Sequence, residues 1–208
     1  MVEIKLAETA DVPDITRLLN KVTMDLHQRG INQWTYPWEK EEIERDIKQG
    51  NCYKLLNDLQ LAGTFCMRGI DQLKYLNIPA DSLYLAQIAI LPRYQGKGAG
   101  AQIISFARTA AELLHKPLFL DCWAGNEKLK RFYVRNGFSY LGDYPEEDYF
   151  VSVFKGKKEH GNWVAEGQSV RLKHRLIHKY RPKYMVHDGL IIARKNVAAR
   201  YPKQLHTL

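Results

Sequence analysis

At 208 residues and 45% hydrophobic composition, the chain can bury one sizeable core and still carry an appendage. Its net charge of +8 lies wholly in the appendage: residues 1–155 hold 19 Lys+Arg against 20 Asp+Glu, and residues 156–208 hold 12 against 3. Three cysteines without metal-ligand spacing exclude a metal centre and suit a reducing compartment, and the absence of a secretory signal or spanning apolar run points to a cytoplasmic protein without membrane contact.

Residues 2 to 7 read as a short strand. Asp11 and Pro13 open a helix with Ile15, Leu18, Leu19, Val22 and Leu26 on one face. Near its end stands His27. The next loop, Gly30 to Trp38, is crowded with aromatics. Trp34, Tyr36 and Trp38 either wall a site for an apolar or cationic acceptor or simply cover the sheet. Residues 39 to 48 form a second helix, acidic in its first half. Strands follow at 51 to 57 and 60 to 68, joined by a turn at Asn57-Asp58, and a loop spans 69 to 81.

The apolar run Leu83 to Leu91 reads as a buried strand and leads into Pro92-Arg93-Tyr94-Gln95-Gly96-Lys97-Gly98-Ala99-Gly100. Beyond it Ile103, Ile104, Phe106, Ala107, Ala110, Leu113 and Leu114 recur at helical spacing. The glycines therefore sit where a strand turns into a helix start. Unpartnered N–H groups and the positive end of the dipole make that point a pyrophosphate site, with Arg93 and Lys97 adding charge. It is not a P-loop, because Lys97 is followed by Gly98 rather than Ser or Thr. Nor is it a dinucleotide fingerprint. The glycines at 96, 98 and 100 give G-x-G-x-G, and about eighty residues precede a motif that normally follows the first strand.

A second short strand, Leu118-Phe119-Leu120, ends at Asp121-Cys122-Trp123. Asn126 caps a helix with Leu129, Phe132 and Tyr133 on its inner face, and Asn136-Gly137 stops it. Two further strands, 138 to 142 and 148 to 155, complete the sheet.

The glycine loop followed by Asn126 to Phe138 resembles the GCN5-related N-acetyltransferases, the GNAT superfamily, over about residues 2 to 155. The family pattern Q/R-x-x-G-x-G/A is matched by Gln95, Gly98 and Gly100. The resemblance implies an α/β fold with a mixed, mostly antiparallel central sheet flanked by helices. It implies acetyl-CoA as co-substrate, its pyrophosphate held by Gln95, Gly96, Lys97, Gly98, Ala99 and Gly100. Backbone groups of Ile88, Ala89 and Ile90 would meet the pantetheine arm in a slot where that strand splays from the Asp121 strand. Asn126 would face the cofactor, and Tyr133 would protonate the leaving thiolate. The acceptor would be the amine of a small molecule or peptide, near Trp34, Tyr36 and Asp121. Asp121, His27 and a carboxylate acting through water all stand open as general base. A non-catalytic acyl-CoA-binding module with a partner on its basic tail is the alternative.

Residues 156 to 208 lie outside the family pattern and form a basic C-terminal extension. Val170 to Tyr184 alternates apolar and basic residues as an exposed strand or amphipathic helix, and Tyr184-Met185-Val186 and Leu190 to Ala193 look extended around His187-Asp188-Gly189. The tail would bind nucleic acid, support a homodimer, cover the sheet or keep the protein soluble.

Overall fold

The computed structural model describes residues 2–31, 33–146, 149–158, 184–187 and 190–193. The chain runs β1 (Val2–Leu6), α1 (Val12–Gln28), α2 (Lys40–Lys48), β2 (Cys52–Asn57), β3 (Gln60–Ile70), β4 (Ser82–Ile90), α3 (Ala99–Leu113), β5 (Leu118–Trp123), α4 (Glu127–Arg135), β6 (Phe138–Glu146) and β7 (Tyr149–Gly156). One seven-stranded sheet has the order β1-β2-β3-β4-β5-β7-β6, with every pair antiparallel except β4–β5. This is the mixed, mostly antiparallel α/β architecture that the resemblance implies.

Side-chain alternation divides the core between the two faces of the sheet. On one face Leu83, Leu85, Leu118, Leu120 and Phe154 pack with Ile103, Ile104 and Ala107 of α3 and Tyr133 of α4. On the other, Ile15, Leu18 and Leu19 of α1 and Ile43 and Ile47 of α2 cover Cys52, Cys66 and Ala89. A smaller cluster on that second face joins Tyr84, Ala86 and Phe119 under the loop after β3. The apolar spacing of α1 is the reason it lies flat: Ile15, Leu18, Leu19 and Val22 are all buried.

One helix start follows different chemistry from that expected, and one start and stop follow it as expected. Asp11 precedes α1 without capping it through its side chain. Its carboxylate instead accepts from the backbone N–H of Glu8 and from Lys54 on β2, at 2.8 and 2.7 Å. Asn126 does cap α4, accepting from the N–H of Leu129 at 3.0 Å. Gly137 ends that helix at φ +84°.

In the basic extension, β8 (Tyr184–His187) and β9 (Leu190–Ala193) pair antiparallel in a separate two-stranded sheet, as the apolar runs suggest. The expected strand or helix over 170–183 lies outside the described residues. No helix among the described residues is long and apolar enough to cross a membrane. Among them no group of three or more His, Cys, Asp or Glu is placed to hold a metal ion.

Candidate active site

β4 has two unequal edges. Toward β3 it is paired from Ser82 to Ile90, interrupted by one bulge. Toward β5 the ladder comprises two residue pairs, Leu83 with Leu118 and Tyr84 with Phe119. Beyond Tyr84 the strands part, so among the described residues the β5-side backbone of Ala86 to Ile90 has no strand partner. A sheet normally satisfies those groups, so the opening offers a row of backbone donors and acceptors to an extended ligand.

The bulge sits where the strands part. Thr64 opposes Ala89 and Cys66 opposes Ala86, leaving Gln87 and Ile88 both opposite Phe65. Gln87 adopts φ +52°, a region that non-glycine residues rarely enter. Its side-chain oxygen accepts from the Cys66 thiol at 2.9 Å and from Arg68 at 3.2 Å, and Arg68 is paired with Asp46 at 3.0 Å.

The loop after β4 begins with a single 3-10 turn, Pro92–Tyr94. Gln95 donates its side-chain N–H to the carbonyl of Ile90 at 2.8 Å, fastening the loop to the strand end. Gly96 and Gly98 have φ of +71° and +83°, and a Cβ at either would meet nothing within 4 Å. The backbone conformation, and not a lack of room, therefore favours glycine there. Gly98 also occupies the N-cap of α3, so the first N–H groups of that helix face the loop without intrahelical partners. Gly100 answers a different demand. A Cβ there would lie 3.2 Å from the ring of Phe132, so this glycine lets α3 and α4 meet. Lys97 is exposed beside the loop, and the Arg93 guanidinium lies over the Tyr94 ring at 5.0 Å.

Tyr133 and Cys122 lie on the α3–α4 face, buried at 3% and 6% exposure. The rings of Phe132, Phe138 and Phe154 surround Tyr133 at 5.4–6.1 Å. No described residue hydrogen-bonds its hydroxyl, an uncommon state for so buried a tyrosine. Burial pushes its pKa well up, and the nearby Cys122 and Asp121 push the same way, so the hydroxyl stays protonated. Burial likewise pushes the Cys122 thiol up to about 12, which makes it a poor nucleophile.

Asp121 is on the opposite face. It is the first side chain of that face beyond the Tyr84–Phe119 pair, so it borders the opening. Tyr84 donates its hydroxyl to the Asp121 carboxylate, and Tyr75 does so at 3.4 Å. Tyr75 stacks on Tyr144 at 5.0 Å, and Lys74 pairs with the buried Glu146 at 3.1 Å. The loop after β3 is thereby tied to the β6–β7 hairpin over Asp121. Spacing gave little sign of this group, because Tyr75 and Tyr144 stand in segments without periodicity. Tyr84 was legible only as strand.

The aromatic loop is held elsewhere. Trp38 donates its indole N–H to Thr23 at 2.9 Å and its backbone N–H to Asn20 at 2.8 Å. Trp34 meets Trp38 edge-on, its carbonyl is 2.8 Å from His27 Nε2, and both indoles pack into the α1–α2 cluster. Tyr36 is about half exposed. Trp34 and Tyr36 therefore belong to the α1–α2 layer, while Asp121 lies with Tyr84 and Tyr75. His27 serves that loop.

A family model described as "Acetyltransferase (GNAT) family" matches residues 17–138. A relative from Bacillus subtilis (strain 168), the uncharacterized N-acetyltransferase YesJ, is 28% identical over 141 residues, covering 64% of this chain and 78% of its own. Among solved structures, a GNAT-family acetyltransferase from Streptococcus agalactiae superposes with a TM-score of 0.64 at 19% identity, covering 76% of this chain and 96% of that one. One from Listeria monocytogenes gives 0.61 at 23%, covering 74% and 94%. The PaiA N-acetyltransferase from Thermoplasma acidophilum, solved with coenzyme A, gives 0.59 at 16%, covering 76% and 99%. At these identities the solved structures speak to the fold.

Proposed function

The chain belongs to the GNAT family of acetyltransferases and is an acetyl-CoA-dependent acyltransferase; on that premise we propose that it acetylates a primary amine of a small molecule or peptide, by direct attack within a ternary complex. The opening between β4 and β5 carries this reading. It has a phosphate-ready glycine loop at its end, a protonated tyrosine on one face and a carboxylate on the other.

The residues present fit acetyl-CoA. Gly96 and Gly98 leave the backbone open, and the N–H groups at the start of α3 suit a pyrophosphate, with Lys97 beside them. Gln95 contributes by holding the loop on Ile90, and Asn126 by starting the helix that carries Tyr133. Backbone groups of Ile88, Ala89 and Ile90 receive the pantetheine arm and polarise the thioester carbonyl. Acetyl-CoA supplies the activated acetyl group. As the amine nitrogen bonds to the acetyl carbon and the carbon–sulfur bond breaks, Tyr133 passes its phenolic proton to the sulfur and the proton shed by the nitrogen restores the hydroxyl; burial keeps that hydroxyl protonated beforehand, and no described residue hydrogen-bonds it. Asp121, steadied by Tyr84 and Tyr75, orients the amine from the opposite face.

The test is amine-dependent release of free thiol from acetyl-CoA. The reading expects release with at least one amine of a broad panel, lost almost entirely in Tyr133→Phe. Coenzyme A binding without thiol release for any amine would favour a non-catalytic acyl-CoA module instead.

A further inference from the structure

Behind the β4 bulge two cysteines face each other. Cys52 of β2 and Cys66 of β3 are direct cross-strand partners. The hydrogen bond from Met67 N–H to the Asn51 carbonyl makes the neighbouring pair hydrogen-bonded, so Cys52 and Cys66 form a non-hydrogen-bonded pair. Such pairs bring α-carbons to about 4.5 Å, at the short end of the roughly 4.4–6.8 Å that a disulfide spans. Both thiols are free and buried on the α1–α2 face, within hydrogen-bonding reach of each other. Burial in so apolar a layer usually makes cysteine inert. Here the surroundings are polar. Cys52 Sγ is 3.4 Å from Thr64 Oγ1, and the Cys66 thiol meets Gln87 at 2.9 Å and Asp46 at 3.8 Å. A cavity of about 10 Å³ is lined by both cysteines together with Asp46, Thr64 and Gln87.

We propose that Cys52 and Cys66 are a reversible oxidation site, closed to a disulfide by a small peroxide, and that closure loosens the strand that receives acetyl-CoA. The second half rests on the acetyl-CoA reading above; the first does not. The Cys52 thiolate attacks one peroxide oxygen, the O–O bond breaks, and water leaves once the released hydroxide takes a proton, giving Cys52 sulfenic acid. The Cys66 sulfur then attacks the Cys52 sulfur. The S–S bond forms, the S–O bond breaks, and a second water departs with the Cys66 proton. Two thiols are oxidised by two electrons and the peroxide is reduced to water.

The neighbouring Cys66 thiol holds the Cys52 pKa down more than burial raises it, which suits Cys52 to the first step, while Cys66 is held up as the thiol whose proton Gln87 accepts. The consequence runs through Gln87. Once bonded to Cys52, the Cys66 sulfur has no proton to donate, and Gln87 loses one of the two partners that hold it at φ +52°. Ile88 to Ile90, directly after it, are the residues assigned to the pantetheine arm.

Native protein is treated with hydrogen peroxide, quenched, and examined by intact mass and peptide mapping. A mass lower by two hydrogens, a Cys52–Cys66 cross-linked peptide, a free Cys122 and reversal by dithiothreitol are expected. Oxygen gain on either cysteine without a cross-link, a cross-link through Cys122, or both thiols intact after denaturation overturns the proposal. Calorimetric titration with coenzyme A then compares reduced and oxidised protein, with about tenfold weaker binding expected after oxidation. Cys66→Ser, whose hydroxyl still donates to Gln87, should bind as the reduced protein does and form no cross-link with peroxide, its oxidation stopping at oxygen on Cys52. A cross-link that leaves affinity unchanged removes the coupling. Absence of coenzyme A binding by the reduced protein removes the functional reading and leaves the oxidation site standing.

Discussion

The two edges of β4 differ more than any other pair of neighbours in the sheet. Against β3 the strand is held from end to end, with Phe65 and Met67 fully buried behind it. Against β5 it is held at Leu83 and Tyr84 and then released. Stability is concentrated on the first edge and chemistry on the second. A site made from backbone groups needs this asymmetry, because amides already in a ladder have nothing left to offer. The bulge at Gln87 stands between the two, satisfied on the β3 side while turning the chain away from β5.

The contrast is broken most severely by Phe65→Ala on the closed edge. Phe65 is fully buried and stacks with Tyr53 at 5.1 Å, so its truncation should cost about 3–5 kcal/mol in denaturant unfolding. Tyr133→Phe is the opposite probe. It removes a hydroxyl that no described residue hydrogen-bonds, so unfolding should change little while kcat falls about 100-fold, roughly 2.7 kcal/mol of barrier. Steady-state kinetics beside a melt separates the two effects.

Gly98→Val sharpens the comparison at the end of the opening. At φ +83° a β-branched residue is strained by about 1–2 kcal/mol. The KM for acetyl-CoA should rise more than kcat falls, and an unchanged KM would mean that this loop is merely a turn. The smallest effect lies at the far edge of the sheet. The Ser152 hydrogen bond holds the Asp143 carboxyl below the usual carboxylate range. A depressed folded-state pKa contributes stability above the unfolded value of about 4, which is lost as pH falls through the folded value. Asp143→Asn should therefore be slightly less stable than the unaltered protein above about pH 4, and the two pH–stability profiles should converge as pH falls through the folded value.

Much of this was legible in the residues. Helical spacing in α1 and α3, the apolar run of β4 and the glycine loop place the main elements to within a few residues. Asn126 was readable as a cap because the cap is a local bond to Leu129. What lay beyond reach was long-range. Asp121 was visible as a strand-end carboxylate, but its partners Tyr84 and Tyr75 come from a different strand and from a loop without pattern. Gly100 read as an opening for phosphate, whereas Phe132 shows that it also spaces two helices. The aromatic loop was open between acceptor wall and sheet cover. Thr23, Asn20 and His27, all on α1, tie it to that helix through contacts of 2.8–2.9 Å.

The central claim is that acetyl-CoA lies in the opening of β4 and along the glycine loop. Amide hydrogen exchange with and without coenzyme A tests it most directly. The account predicts protection confined to residues 86–101 and the α4 segment from 126 to 133, with β2, β3 and the β6–β7 edge unchanged. Protection that spares 86–101, or that falls chiefly on the aromatic loop of residues 30–38, would contradict it.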